Sequence, residues 1–302
     1  MPTLSQIPDQ GDPSDILQLF PKTNLQLLCC RYWWLKHWEF RELAFPYWRI
    51  YYNMQEGAFI ETGGKTYSLH PQKIYLIAPN TSYSTHLFDH PLPKKGYALT
   101  GGRITTKKPS PIRAAADTIE HLFIHFNIGS PYDNVSPGLF SFDLTPHLQE
   151  KIHLIVNHLS VDNSQFSFYT FLAIQSLITD LLSDIDENCW ELLAKDYRIL
   201  NALSYIENNT DKDLSNETLA DMCQLATNAF TRLFKDEVGV SPQRFVKRKR
   251  INTACVMLHH SDDSIDEVAI KSGFANRYHF TRIFSQLTGL APAKYRKEFR
   301  IN

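Results

Sequence analysis

Residues 219–234, LADMCQLATNAFTRLF, and residues 268–284, VAIKSGFANRYHFTRIF, read as one unit written twice. Leu219-Ala220, Leu225 and Phe230-Thr231-Arg232-Leu233-Phe234 in the first copy answer to Val268-Ala269, Phe274 and Phe280-Thr281-Arg282-Ile283-Phe284 in the second. The echo runs on downstream: Gly239-Val240-Ser241-Pro242 leads to Phe245, and Gly289-Leu290-Ala291-Pro292 leads to Tyr295. Helix-start signals punctuate the stretch, with Ser215 as a cap, Ser241-Pro242 as a cap followed by proline, and Ser264 to Glu267 as a capping box. Each copy is a short helix, a tight turn and a second helix with one apolar face, the layout of a helix-turn-helix.

The apolar face of each second helix fixes what is left for solvent. With Leu225, Phe230, Leu233 and Phe234 turned inward, Asn228, Thr231 and Arg232 face out. With Phe274, Phe280, Ile283 and Phe284 inward, Arg277, Tyr278, Thr281 and Arg282 face out. Arg can grip guanine, Asn can grip adenine, and Thr offers a hydroxyl or a methyl to a base edge. A polar outer face is also what any soluble helix presents; the duplication and the matched Thr-Arg pairs decide for double-stranded DNA as the partner. The run Lys247-Arg248-Lys249-Arg250 falls in the helix between the copies and spreads its charges around it, for phosphates or for plain solvation.

The net charge of the 302 residues is -1, which by itself argues against a nucleic-acid partner. Divided at Lys195 the count changes: residues 1–195 hold 15 Lys and Arg against 19 Asp and Glu, and residues 196–302 hold 16 against 13. All five tryptophans lie in the acidic part. A length of 302 residues, 43% of them apolar, supports more than one domain. Expected are a first domain over 1–144, a helical segment and linker over 145–195, and a DNA-binding domain over 196–302.

The first part reads as strands. Trp48–Tyr52, Ala58–Thr62, Lys65–Leu69, Lys73–Ala78, Ser82–Leu87 and His121–Asn127 are short aromatic and β-branched runs, with Gly63-Gly64 suited to a tight hairpin. They predict an antiparallel barrel or sandwich able to hold a small ligand. Residues 89–120, rich in Pro, Gly and Lys, are expected to form a long loop, either a lid or a mobile segment. His121 and His125 share one strand face and are read as hydrogen-bonded or ligand-contacting; two ligands do not make a metal site, so no metal and no cofactor is expected. Trp48 and Tyr52 serve either the core or an effector pocket.

Leu148, Ile152, Ile155 and Leu159 mark one helix, and Phe171, Ile174, Ile178, Leu181 and Ile185 a second with coiled-coil spacing. That seam predicts either a homodimer through residues 165–185 or an intramolecular pair. Five cysteines without C-x-x-C spacing point to reduced thiols. Neither a secretory signal nor an apolar stretch of membrane-spanning length is legible, so a cytoplasmic protein without a membrane partner is expected.

Gly273-Phe274, His279-Phe280, Arg282, Phe284, Gly289, Pro292 and Tyr295-Arg296 resemble the signature of the AraC family of bacterial transcription regulators. The resemblance covers the last hundred residues or so; the first domain resembles, more weakly, the cupin-like effector domain of that family. It implies a multi-domain α+β chain in which two recognition helices on a common rigid frame enter successive major grooves. Base reading would fall on Asn228, Thr231 and Arg232 and on Arg277, Tyr278 and Arg282. It further implies a small-molecule effector, a carbohydrate among the candidates, and a dimer that meets RNA polymerase if it activates. Ala226 and Ala275 stand where the family often has a hydroxyl, and Thr227 or Asn276 could shift the helix starts. The competing readings are a cupin-type enzyme fused to a DNA-binding domain, which requires a metal triad or an acid–base pair, and a regulator controlled by a protein partner.

Overall fold

In strand β2 (Trp48–Asn53) the side chains alternate between two buried faces: Trp48, Ile50 and Tyr52 belong to one core, while Tyr51 belongs to another and Arg49 lies on its side. That split organises the first half of a computed structural model, which describes residues 23–94, 97–105, 117–129, 132–133, 135–161, 166–190 and 196–299. Strands β1 (Gln26–Leu43), β2, β3 (Ala58–Thr62), β4 (Lys65–Ser68), β5 (Lys73–Ile77), β6 (Tyr83–Leu87), β7 (Tyr97–Arg103), β8 (Ile119–Asn127) and β9 (Leu139–Asp143) form one curled sheet. Its order is β4-β3-β6-β1-β8-β2-β5-β9, with β7 also on β1, and every pairing is antiparallel. The result is the expected antiparallel half-barrel.

β1 makes the curl possible. Its first half pairs with β8, its second half with β7, and its end with β6, and the register shifts between Leu27 and Cys29 and between Leu35 and His37. Each shift adds twist and bends the strand. β7 corrects the expectation of one loop over residues 89–120, of which 95–96 and 106–116 lie outside the described residues. It is glycine-rich because β1 runs so close: a Cβ on Gly101 would sit 2.4 Å from the Trp34 carbonyl oxygen, and one on Gly102 2.7 Å from the Trp34 ring nitrogen.

Helices α1 (Pro146–Ser160) and α2 (Phe168–Ser183) cover the convex face, capped by Thr145 and Ser167. Trp48, Ile50, Leu122, Ile124 and Phe126 of the sheet pack with Leu148, Ile152, Ile155, Ile174, Ile178, Leu181 and Ile185. Ile174, Ile178, Leu181 and Ile185 of the α2 seam are therefore buried inside the chain, while Phe171 is half-buried. Phe168, Tyr169 and Leu172 remain exposed on the other side of α2.

The second half holds α3 (Tyr197–Asn208), α4 (Asn216–Met222), α5 (Thr227–Val238), α6 (Pro242–His260), α7 (Ile265–Lys271), α8 (Arg277–Thr288) and α9 (Pro292–Phe299). Phe230 and Phe234 of α5 fill a core with Leu219, Phe245 and Val246, and Phe280 and Phe284 of α8 fill a second with Ile251, Leu258 and Val268. The second core continues into the concave face of the sheet through Phe45, Tyr47 and Tyr51. No helix among the described residues is long and apolar enough to cross a membrane.

Candidate nucleic-acid interface and the cavity of the sheet

The two helix-turn-helix units differ in how their second helices begin. α8 is capped by Asn276, whose side chain accepts from the His279 amide at 2.8 Å, so the start has moved one residue as the sequence allowed. α5 begins after Ala226 with no side-chain cap, and Thr227 does not take the role. α4 and α7, the first helices of the units, are capped by Ser215 and by the Ser264–Glu267 capping box.

Asn228 and Arg232 on α5, and Tyr278 and Arg282 on α8, are exposed, Tyr278 to 82%. Thr231 and Thr281 are half-buried, and the Thr231 hydroxyl donates to the Thr227 carbonyl at 2.8 Å, which leaves its methyl for outward contact. Arg277 is exposed but pairs with Asp266 at 3.0 Å, so a base contact there first gives up that pair. Both units hang on α6. Lys249 is ion-paired to Glu207 of α3, and Arg250 donates to the carbonyls of Thr210 at 2.9 Å and Lys212 at 2.8 Å. The basic run is thus divided: Lys249 and Arg250 bind the first unit internally, and Lys247 and Arg248 stay exposed.

On the concave face of the sheet lies a cavity of about 70 Å3 lined by aromatic and aliphatic side chains, among them Trp38, Phe45, Tyr51, Tyr83 and Phe123. His121 and His125 line it. Trp48 and Tyr52 do not; they face the helices on the convex side, and their β2 neighbours Arg49 and Tyr51 take the cavity positions. The correction is one residue of strand phase, which moves every side chain to the other face. Arg49 is the missed residue, and a cation inside the otherwise apolar run Trp48–Tyr52 was the available signal.

Arg49 is 2% exposed. One terminal nitrogen donates to the Tyr83 hydroxyl, the guanidinium carbon stands 3.7 Å from the Phe45 ring centre, and the other terminal nitrogen has no partner. Burial opposes its charge, but the hydroxyls of Tyr83, Tyr51 and Tyr47 outweigh it and hold the cation charged. No ion pair among the described residues involves Arg49. A buried cation without a counter-charge is costly, and an entering anion would offset that cost. His121 donates from Nδ1 to the Asn53 side-chain oxygen at 2.5 Å, and burial pulls its pKa down to about 3, so it is a neutral imidazole.

α6 closes one side of the cavity. His259, in its last turn, lines the cavity and shares a 2.7 Å hydrogen bond with the Tyr47 hydroxyl. Tyr97 of β7 also lines it and donates to the Lys297 carbonyl of α9 at 3.3 Å. Among the described residues two side-chain groups have metal-binding spacing, Cys29 with His125 and His260, and His37 with Glu39 and His90. In the second, Glu39 already occupies both imidazoles at 3.1 and 2.9 Å.

A family model for a helix-turn-helix domain matches residues 219–298. The HTH-type transcriptional activator RhaS of Escherichia fergusonii is 30% identical over 138 residues, 46% of this chain and 47% of RhaS. The probable transcriptional regulator LumQ of Photobacterium leiognathi is 30% identical over 158 residues, 52% of this chain and 61% of LumQ. This chain thus spans about half the length of the curated relatives it matches. Among solved structures, unsaturated fatty acid-bound ToxT from Vibrio cholerae matches at a TM-score of 0.50 and 12% identity, over 94% of this chain and 98% of ToxT, a likeness of fold. The paired helix-turn-helix units and their sequence relatives agree: over residues 219–298 the chain carries a helix-turn-helix domain of the kind found in HTH-type transcription regulators such as RhaS.

Proposed function

We propose that the protein is a sequence-specific DNA-binding transcription regulator whose grip on DNA is modulated by a small molecule in the cavity of the sheet. The observation that carries the reading is the pair of recognition helices, α5 and α8, held on one helix, α6, with Asn228, Arg232, Tyr278 and Arg282 exposed. Residues 1–144 act as the sensor, 145–195 as the dimerisation segment and 196–302 as the DNA reader. Footprinting of the full chain on fragments from its own genome tests this; protection no better than on random DNA refutes it.

The effector is an anion with an apolar or aromatic body. Arg49 supplies the cation, the surrounding rings supply the apolar walls, and ToxT, of like fold, is described as bound to an unsaturated fatty acid. A carbohydrate, the broader expectation, would need several hydroxyl partners, and the lining is mainly hydrocarbon. At about 70 Å3 the cavity holds only a few water-sized groups, so a larger ligand must displace His259 or Tyr97, and both connect to the DNA-reading half. A melting-temperature screen of carboxylates against sugars separates the two; stabilisation by sugars that survives Arg49→Met overturns the anion reading.

The exposed Phe168, Tyr169 and Leu172 on α2 form the surface for a homodimer, which would present four recognition helices and, in an activator, meet RNA polymerase. Sedimentation of Leu172→Glu as a monomer, beside a dimeric parent, is the expected result.

A further inference from the structure

The junction between the sheet and α6 brings together side chains that DNA reading does not use, one of which, His125, also lines the cavity beside Arg49. Cys29 of β1 and His125 of β8 are direct cross-strand partners. His260, the last residue of α6, comes from the opposite side, its ring centre 5.4 Å from that of His125. One ligand atom from each of the three lies within 4.8 Å of the others. His125 is 4% exposed, and neither of its ring nitrogens has a hydrogen-bond partner; the same holds for both ring nitrogens of His260. Buried imidazoles in native folds are ordinarily satisfied, so four nitrogens without partners at one point call for a missing ligand.

We propose that Cys29, His125 and His260 bind one soft monovalent metal ion of the Cu(I) class, which pins the end of α6 to the sheet. The donor set selects the ion. A thiolate with two imidazoles suits soft Cu(I), and three ligands satisfy it, whereas structural zinc takes four. A fourth imidazole stands beside them on His259, but its Nδ1 is engaged by the Tyr47 hydroxyl. Charge points the same way. Arg49 and Arg31 act on both His125 and His260, so the site lies in a positive field. A monovalent ion on a thiolate adds no net charge there, and a divalent ion would add one. Binding is a simple exchange: the Cys29 sulfur–hydrogen bond is replaced by a sulfur–metal bond, the proton leaves to solvent, and no oxidation state changes.

The test uses the full chain, reduced and free of oxygen, titrated with Cu(I) against the colorimetric chelator bicinchoninate. One Cu(I) per chain is expected, with a thiolate-to-copper absorption in the near ultraviolet and an X-ray absorption edge fitted by one sulfur and two nitrogens. Cys29→Ser and His260→Gln should each weaken binding by at least about 10- to 100-fold, while Cys189→Ser leaves it unchanged. Melting of each metal-free variant at the parent's temperature certifies its fold, and either variant alone suffices for the test. Retention of Cu(I) by either folded variant, absence of Cu(I) binding, or uptake of Zn2+ in its place overturns the proposal.

Discussion

Gly273 forms the turn of the second helix-turn-helix at φ +84°, and its replacement by alanine probes the joint between the two units. A Cβ there would stand 2.0 Å from the Thr210 carbonyl oxygen and 2.6 Å from Arg250 Nε. The backbone conformation alone does not forbid a side chain. In the first unit the equivalent turn residue is Gln224, which adopts φ +53° and is exposed. Left-handed strain costs about 1 kcal/mol for an L residue. Relieving the overlap must part Arg250 from Thr210, and a hydrogen bond to a charged group contributes about 1.5 to 3 kcal/mol. Gly273→Ala should therefore cost at least about 3 kcal/mol, which lowers the melting of a unit of about 100 residues by about 12 °C or more. Gly239 and Gly289 provide the controls: φ is +78° and +76°, nothing lies within 4 Å of either added Cβ, and each alanine should cost only about 1 kcal/mol. Because all five tryptophans precede residue 191, their fluorescence reports the sheet half, and circular dichroism at helical wavelengths must follow the DNA-reading half. If Gly273→Ala is no more costly than Gly239→Ala, the close approach of the turn to Thr210 and Arg250 is not what joins the units.

Arg232→Ala and Arg282→Ala should each cost about 1 to 3 kcal/mol on the specific site and relax preference at one base pair; equal losses on random DNA would make them phosphate contacts. Ala226→Ser should gain about 1 kcal/mol by capping α5, which lacks a side-chain cap, and an unchanged melting temperature would show that water already serves those amides. His121 is neutral in the fold with its pKa near 3, whereas the unfolded chain takes up that proton near pH 6.5. The unfolded state then binds more protons, so stability is full above about pH 6.5 and falls towards pH 3, by up to about 1.4 kcal/mol per pH unit. The urea midpoint read by tryptophan fluorescence should decline over that window less steeply in His121→Gln; identical slopes would refute the assignment.

The helical half was legible because its signals are local. Phenylalanines at helical spacing, a capping box and proline at the first turn all act within a few residues of where they stand. The sheet was legible only in part. β1 escaped notice because its register shifts at Leu27–Cys29 and Leu35–His37 break the two-residue alternation, and because it is buried from both sides. β7 was concealed by Gly101 and Gly102, which read as breakers and are present because Trp34 leaves no room for a Cβ. Trp48 and Tyr52 stood open between core and pocket, and the structure puts them in the core with Arg49 and Tyr51 at the cavity, since an all-buried strand offers no polar side to set the phase. The group of Cys29, His125 and His260 spans 231 positions of sequence from Cys29 to His260, and no spacing rule reaches that far.

The junction between sheet and α6 is built to respond. Arg49, His125 and His260 keep polar nitrogens there without partners. Each buried polar group left so costs about 1 to 3 kcal/mol, a debit that the aromatic packing of Phe45, Tyr47 and His259 must offset. A ligand can move a two-state equilibrium only by its difference in affinity for the two states. One that satisfies two of these groups in the closed arrangement favours it by about 2 to 6 kcal/mol, a shift of about 30-fold to about 10^4-fold. A bulky ligand that evicts His259 to reach Arg49 works in the opposite sense. On the proposed reading either displacement would reach the DNA-reading face, because the helix that ends in His259 and His260 also carries Arg250 into the Gly273 turn and Lys249 onto Glu207. The same helix holds α5 and α8 and closes one side of the cavity, so a ligand that moved its end would also change the frame that holds the recognition helices.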